Sequence, residues 1–181
     1  MKNKKIWWFL FRFLGTYFFF FLLYSIFLMN TQTKEPVFIC DPLTIDVAEQ
    51  SKNILNIFDQ GVVLVPDVDE LSVNMLIDGD YVVGIIEGCN SVSIIILFVA
   101  FIIAFQGSWK ATILFSVLGA LSIYYVNILR IVVLTYGMYH YPEYTWLFHD
   151  LVFPAIIYGY IFVLWIVWVN YFSNLKNTKH G

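Results

Sequence analysis

The chain has 181 residues, of which 60% are hydrophobic, 20% aromatic and only 13% charged. Soluble domains carry about 25% charged residues, so the composition excludes an ordinary soluble domain and points to a membrane protein. The formal net charge of −3 is segregated rather than mixed, and no basic stripe suits a nucleic acid.

Residues 1–30 are expected to form a cytoplasmic N-terminus and a first membrane span. Lys2, Lys4 and Lys5 precede an apolar run over 6–29, which is 24 residues long (29 − 6 + 1). That exceeds the roughly 20 residues a bilayer crossing needs. A signal peptide has a shorter apolar core and a small-residue cleavage site, and Asn30-Thr31-Gln32 offers none. The span is read as retained, with Trp7, Trp8 and Tyr24 as interface anchors. Arg12 lies one turn in and can snorkel back to the headgroups.

Residues 31–88 are the only sizeable polar region, expected as an extracytoplasmic helix and a small sheet that pack on the membrane part. Asp41-Pro42 reads as an N-cap followed by proline at the first helical position. Leu43, Val47, Ile54 and Phe58 then recur at helical spacing, predicting about four turns. After Gly61 come short apolar runs at 62–65 and 71–77. Asp78-Gly79 fits a tight turn, and 81–86 fits a returning strand.

Residues 89–170 are expected to form a three-helix catalytic membrane core. The second span is placed at 89–105, a short link at 106–110, and a third apolar segment at 111–137. A polar loop follows over 138–150, then a fourth span over 151–170 with Pro154 in its first turn, where proline is tolerated. Residues 171–181 complete the chain as a cytoplasmic tail. The fold class is therefore an α-helical integral membrane protein with about four transmembrane helices plus a small α+β extracytoplasmic segment.

Lysine and arginine near span ends set the orientation. With both termini inside, Lys2, Lys4, Lys5, Arg12, Lys110, Lys176 and Lys179 are cytoplasmic and only Lys34 and Lys52 are outside. All 13 acidic residues then fall outside, from Glu35 to Asp150.

A thiol stands at the mouth of the second span, in Glu87-Gly88-Cys89-Asn90-Ser91. At 1.5 Å per residue, Cys89 lies roughly 26 Å from the inner link and Arg130 roughly 28 Å. Both are near the outer edge of a hydrocarbon core about 30 Å thick. His149 sits at the outer entry to the fourth span, so three segments deliver a thiol, a guanidinium and an imidazole to one level. A cysteine at a helix N-terminus or beside a cation is a better nucleophile. The positive end of a helix would keep His149 neutral, and Asp150 would oppose that. Arg130 suits an oxyanion, and arginine within a span is functional by default. The amides of Asn90 and Ser91 are possible further donors, and Asn127, one turn before Arg130, could orient the guanidinium. Glu87 reads as solvated.

Other readings of the same residues stay open. Cys89 could be a small apolar residue, or could pair with Cys40 in a disulfide. Two cysteines are too few and too far apart for a zinc cluster or a C-x-x-C pair. That also leaves a quinone-linked disulfide oxidase without support, and no metal or organic cofactor is implied.

Taken together, Glu87-Gly88-Cys89-Asn90-Ser91 before a span, Asn127-Ile128-Leu129-Arg130 within the next, and His149 before the last resemble the exosortase/archaeosortase family. The likeness covers roughly residues 80–170 and is most similar to a compact bacterial subgroup, the exosortase F type. Many members have a small residue and then glycine after the cysteine, where this chain has Asn90 and Ser91. The resemblance implies a membrane-embedded cysteine transpeptidase of the cytoplasmic membrane, its site facing outward, with Cys89, Arg130 and His149 catalytic. Its clients would be exported proteins with a C-terminal sorting signal: a motif, an apolar helix and a basic end. The acceptor would be a lipid- or glycan-linked amine. Two rivals are an intramembrane cysteine peptidase using water and a non-catalytic membrane assembly protein.

Overall fold

A computed structural model describes residues 2–34, 38–58 and 60–173, without the side chains of Lys2, Asn3 and Lys5. Expectations for Glu35, Lys176 and Lys179 lie outside the described residues. The order is α1 (Lys2–Thr31), α2 (Pro42–Ile57), β1 (Val63–Pro66), β2 (Ser72–Ile77), β3 (Asp80–Ile86), α3 (Val92–Ala104), α4 (Trp109–His140) and α5 (Pro142–Phe172). The fold is mostly helical, with three long apolar helices, α1, α4 and α5, each able to cross a membrane by length and composition. The second apolar segment is shorter than expected: α3 has 13 residues, about 20 Å of helix. Cys89 to Ser91, expected within it, lie before it instead: Cys89 ends a separate turn and Ser91 caps α3.

Local chemistry explains much of this. Asp41 caps α2, its carboxylate accepting the Thr44 amide at 3.0 Å, and Pro42 follows at the first position. Asp78 and Gly79 both take positive φ, 55° and 89°, the conformation of a two-residue hairpin turn. They join β2 to β3 in an antiparallel sheet of order β1-β2-β3. In α2 the buried stripe is Thr44, Val47, Ala48, Ser51 and Leu55. Leu43 and Phe58, expected inward, are exposed. The helix has turned to bring two hydroxyls inward; that of Thr44 meets Asp41 and Asn90, partners that periodicity does not reveal.

Two apolar cores share α4. One joins α2 and the sheet to α4 through Val47, Leu55, Met75, Ile85, Ile128 and Ile131. The other joins α3, α4 and α5 through Phe98, Ile102, Ile123, Ile157, Ile161 and Trp168. Lipid removes the hydrophobic drive between spans, so close contact of small residues matters more there. Gly119 is one such point: a Cβ there would lie 2.3 Å from the Phe98 ring. α1 packs mainly on α3, with Phe9 against Phe105 and Tyr24 against Asn90, so the two run antiparallel. Tyr24, expected as an interface anchor, is buried; Trp7 and Trp8 are exposed. Arg12 stacks back over the Trp8 ring at 5.5 Å.

The polar loop expected over 138–150 is almost absent. α4 continues to His140, and only Tyr141 separates it from α5. Pro154 consequently lies inside α5 rather than in a first turn. Proline there removes a backbone donor and crowds the preceding turn; α5 widens to a π-helix over Phe148–Val152 just before it.

Candidate active site

The cysteine corner is built from Ile86 onward. Where β3 ends, Glu87–Cys89 make one 3₁₀ turn, closed by the Asn90 amide donating to the Glu87 carbonyl at 3.1 Å. Ser91 follows with φ 66°, a left-handed conformation uncommon for a residue with a side chain. Its hydroxyl donates to the Asn90 carbonyl at 2.6 Å. The Asn90 side chain joins three elements. Its Oδ1 accepts the Val92 amide at 2.9 Å at the start of α3. Its Nδ2 donates to Tyr24 Oη of α1 at 2.7 Å and to Thr44 Oγ1 of α2 at 3.2 Å. Thr44 Oγ1 in turn donates to Asp41 Oδ2 at 2.7 Å. All four residues are buried. The Asn90 amide, expected as a possible oxyanion donor, is therefore already engaged, and the side chain is a structural tie.

Cys89 is half-buried with a free thiol, and Cys40 is buried and also free. The Cys89 carbonyl accepts from Asn127 Nδ2 at 2.7 Å. Asn127 thus holds the cysteine corner rather than orienting Arg130, the role expected from its spacing. Arg130 is 2% exposed. Its guanidinium carbon sits 3.5 Å from the centre of the Phe153 ring, a cation–π arrangement. It also lies within electrostatic reach of the Cys89 thiol and the Tyr158 phenol. Arg130 Nε and Nη2 and Asn127 Oδ1 are buried without a hydrogen-bond partner.

His149 is placed differently from expectation. It lies inside α5, in the π-helical stretch, and so away from the helix start, where a helix dipole acts. Its neighbour is Asp150: His149 Nδ1 and Asp150 Oδ1 are 2.8 Å apart. A carboxylate can only accept, so in this contact Nδ1–H donates to it and Nε2 is the ring nitrogen left for other contacts. The pair lies at the protein surface, at 64% and 71% exposure. The His149 ring stacks on Phe153 with 6.0 Å between centroids, so Phe153 touches both His149 and Arg130. Among the described residues no hydrogen bond or ion pair joins Cys89, Arg130 and His149 to one another. Glu87 is half-buried, and no clustered His, Cys, Asp or Glu side chains suit a metal ion among the described residues.

Residues 5–171 match the family model described as transmembrane exosortase (Exosortase_EpsH). The chain belongs to the transmembrane exosortase family. No curated protein and no solved structure matches it.

Several residues that shape this exosortase's site give little sign in sequence. Tyr24 stands among aromatic residues of α1 and reads as a belt. Thr44 looks like one more polar residue of an amphipathic helix. Phe153 is one of 18 phenylalanines. Gly137 offers a faint signal, a glycine in a long helix. A Cβ on it would lie 2.6 Å from Phe148, so its bareness lets the segment bearing His149 approach α4.

Proposed function

We propose that this exosortase is a cysteine transpeptidase that acts on exported proteins carrying a C-terminal sorting signal. Family membership supports the chemistry, since the family is generally one of transpeptidases. One local observation carries the reading. Cys89 is tied through its carbonyl to Asn127, and Arg130, one turn on, is buried with Nε and Nη2 free of hydrogen-bond partners among the described residues. Buried guanidinium N–H groups without an acceptor are costly unless a developing negative charge uses them.

The steps follow for this reading. His149 Nε2 takes the thiol proton, and Cys89 Sγ attacks the peptide carbonyl carbon, forming a C–S bond. Arg130 steadies the oxyanion. The oxyanion collapses, the C–N bond breaks, and His149 returns the proton to the leaving amine. An amine acceptor, lipid- or glycan-linked, then attacks the thioester and frees the thiol. Asp150 holds the imidazole tautomer that this exchange needs. Both termini are cytoplasmic and the site faces outward, as the basic residues near the span ends favour.

The position of His149 at the protein surface keeps one alternative in view, a peptidase with water as the acceptor. Mass spectrometry of a processed client decides: hydrolysis leaves a free C-terminal carboxylate, transfer an added mass. Cys89→Ala is expected to abolish client processing while the protein still inserts at normal abundance. Normal client maturation in that variant refutes the assignment.

A further inference from the structure

Three buried polar atoms around Cys89 have no partner: Asn127 Oδ1, Arg130 Nε and Arg130 Nη2. Asn127 is fully buried and Arg130 is 2% exposed, and buried polar groups without partners are rare. The Asn127 amide cannot simply be turned over. Its Nδ2 donates to the Cys89 carbonyl, and reversal would set two carbonyl oxygens face to face. One acceptor and two donors therefore remain, one turn apart on α4, on the residue that holds the Cys89 carbonyl and on the next of the same face. Their complement is a group that offers one N–H and one carbonyl oxygen. An extended peptide residue does so, because its own N–H and C=O point to the same edge.

We propose that Asn127 Oδ1 and the Arg130 Nε–H and Nη2–H groups form a receptor for the backbone of one extended substrate residue. Asn127 accepts that residue's N–H, and Arg130 receives its carbonyl, the one Cys89 attacks. Asn127 is then a specificity residue that reads main chain rather than side chain. It holds the cysteine with one end of its amide and the substrate with the other. The inference rests on Cys89 as the nucleophile.

The test uses the full chain in lipid nanodiscs and two small electrophiles. One is acetylglycine chloromethyl ketone; the other is its ester isostere, with oxygen in place of N–H. In each, the sulfur displaces chloride and forms a C–S bond. Mass spectrometry of the Cys89 peptide follows the rate, and division by the rate with a small free thiol removes intrinsic reactivity. The amide probe is expected to alkylate Cys89 about tenfold faster than the ester, the value of roughly one buried hydrogen bond. In Asn127→Ala the ratio falls to near one. A mere loss of packing slows both probes alike and leaves the ratio unchanged. Equal rates in the unaltered protein, or a preference that survives Asn127→Ala, overturn the receptor while leaving the nucleophile in place. A Cys89 that takes up neither probe refutes the nucleophile, and the receptor with it. Equal rates in the unaltered protein refute the receptor even if Asn127→Ala does not fold.

Discussion

Replacing Tyr24 with Phe removes one oxygen atom from α1 and tests whether the first helix is part of the site's architecture. Tyr24 Oη accepts from Asn90 Nδ2 at 2.7 Å, the shorter of that nitrogen's two hydrogen bonds. Both residues are buried, Tyr24 at 6% and Asn90 at 1% exposure. Loss of the acceptor leaves one buried N–H unsatisfied, which costs about 1–3 kcal/mol. For a chain of this size, each kcal/mol shifts the melting temperature by about 2–4 °C. Tyr24→Phe should therefore lower the melting temperature in detergent by several degrees. It should also slow alkylation at Cys89, because Asn90 anchors the turn that carries the thiol. The pairing is isolated by combining Tyr24→Phe with Asn90→Ala. In that background the tyrosine oxygen has lost its donor, so removing it should be nearly neutral. An undiminished effect of Tyr24→Phe in the Asn90→Ala protein would show that the Tyr24–Asn90 bond is not what ties α1 to the cysteine corner.

Three further outcomes follow from the geometry. Gly137→Ala places a carbon 2.6 Å from Phe148, where carbons ordinarily sit about 3.5–4.0 Å apart; the segment bearing His149 must back off by about 1 Å. Client processing should fall about a hundredfold, with about 1–3 kcal/mol of stability lost, and an unchanged processing rate would separate His149 from catalysis. Asp150→Asn removes the carboxylate that fixes the imidazole tautomer, so processing should drop at least about tenfold with no change in melting temperature, measured side by side. Burial, reinforced by Asp41 and Asp67, pushes the Cys40 thiol up to about 11. Its folded value lies above its unfolded one, so the stability it contributes is intact below about pH 8.5 and is lost as the pH climbs through the folded value. Iodoacetamide at pH 8 should leave Cys40 unmodified in the folded protein, and rapid labelling there would contradict its burial.

Features written in neighbouring residues are legible in the sequence itself. Asp41-Pro42 marks the start of α2, and Asp78-Gly79 marks the hairpin, because each depends on backbone conformations that a few residues decide. The long apolar runs likewise announce α1 and α4. What escapes such reading depends on partners distant in sequence. Nothing near Tyr24 signals that its hydroxyl meets Asn90, 66 positions on. Pro154 misleads for a related reason: proline favours a helix start, yet α5 absorbs it by widening one turn earlier, and so His149 becomes an interior residue. Spacing puts Asn127 on the right face of α4 but beside the wrong partner, since a period fixes a face and only packing chooses between neighbours on it.

Three helices measure the depth of the cysteine independently. The Asn127–Cys89 contact puts the corner level with a point 18 residues into α4 (127 − 109), about 27 Å from its start. On α5, Phe153 meets Arg130, and 20 residues later (173 − 153) Ser173 bridges Gly107 at the opposite end, about 30 Å away. On α1, Phe9 meets Phe105 and Tyr24 meets Asn90, and the 15 residues between (24 − 9) cover about 22 Å. None exceeds a hydrocarbon core of about 30 Å. α4 then runs 13 residues further (140 − 127), and its Thr135 and Tyr139 meet Met75 and Asp78 at the β2 side of the sheet. Cys89 packs on the core formed by α2, the sheet and α4, and the proposed reading sets it close to the depth where lipid ends. On the proposed reading this is where a sorting signal changes from polar motif to apolar helix. A peptide bond at that boundary can be extended and unpaired, while one residue deeper its N–H must stay within a helix. The short α3 serves this geometry: a full-length span would carry the thiol farther up, away from Asn127 and Arg130.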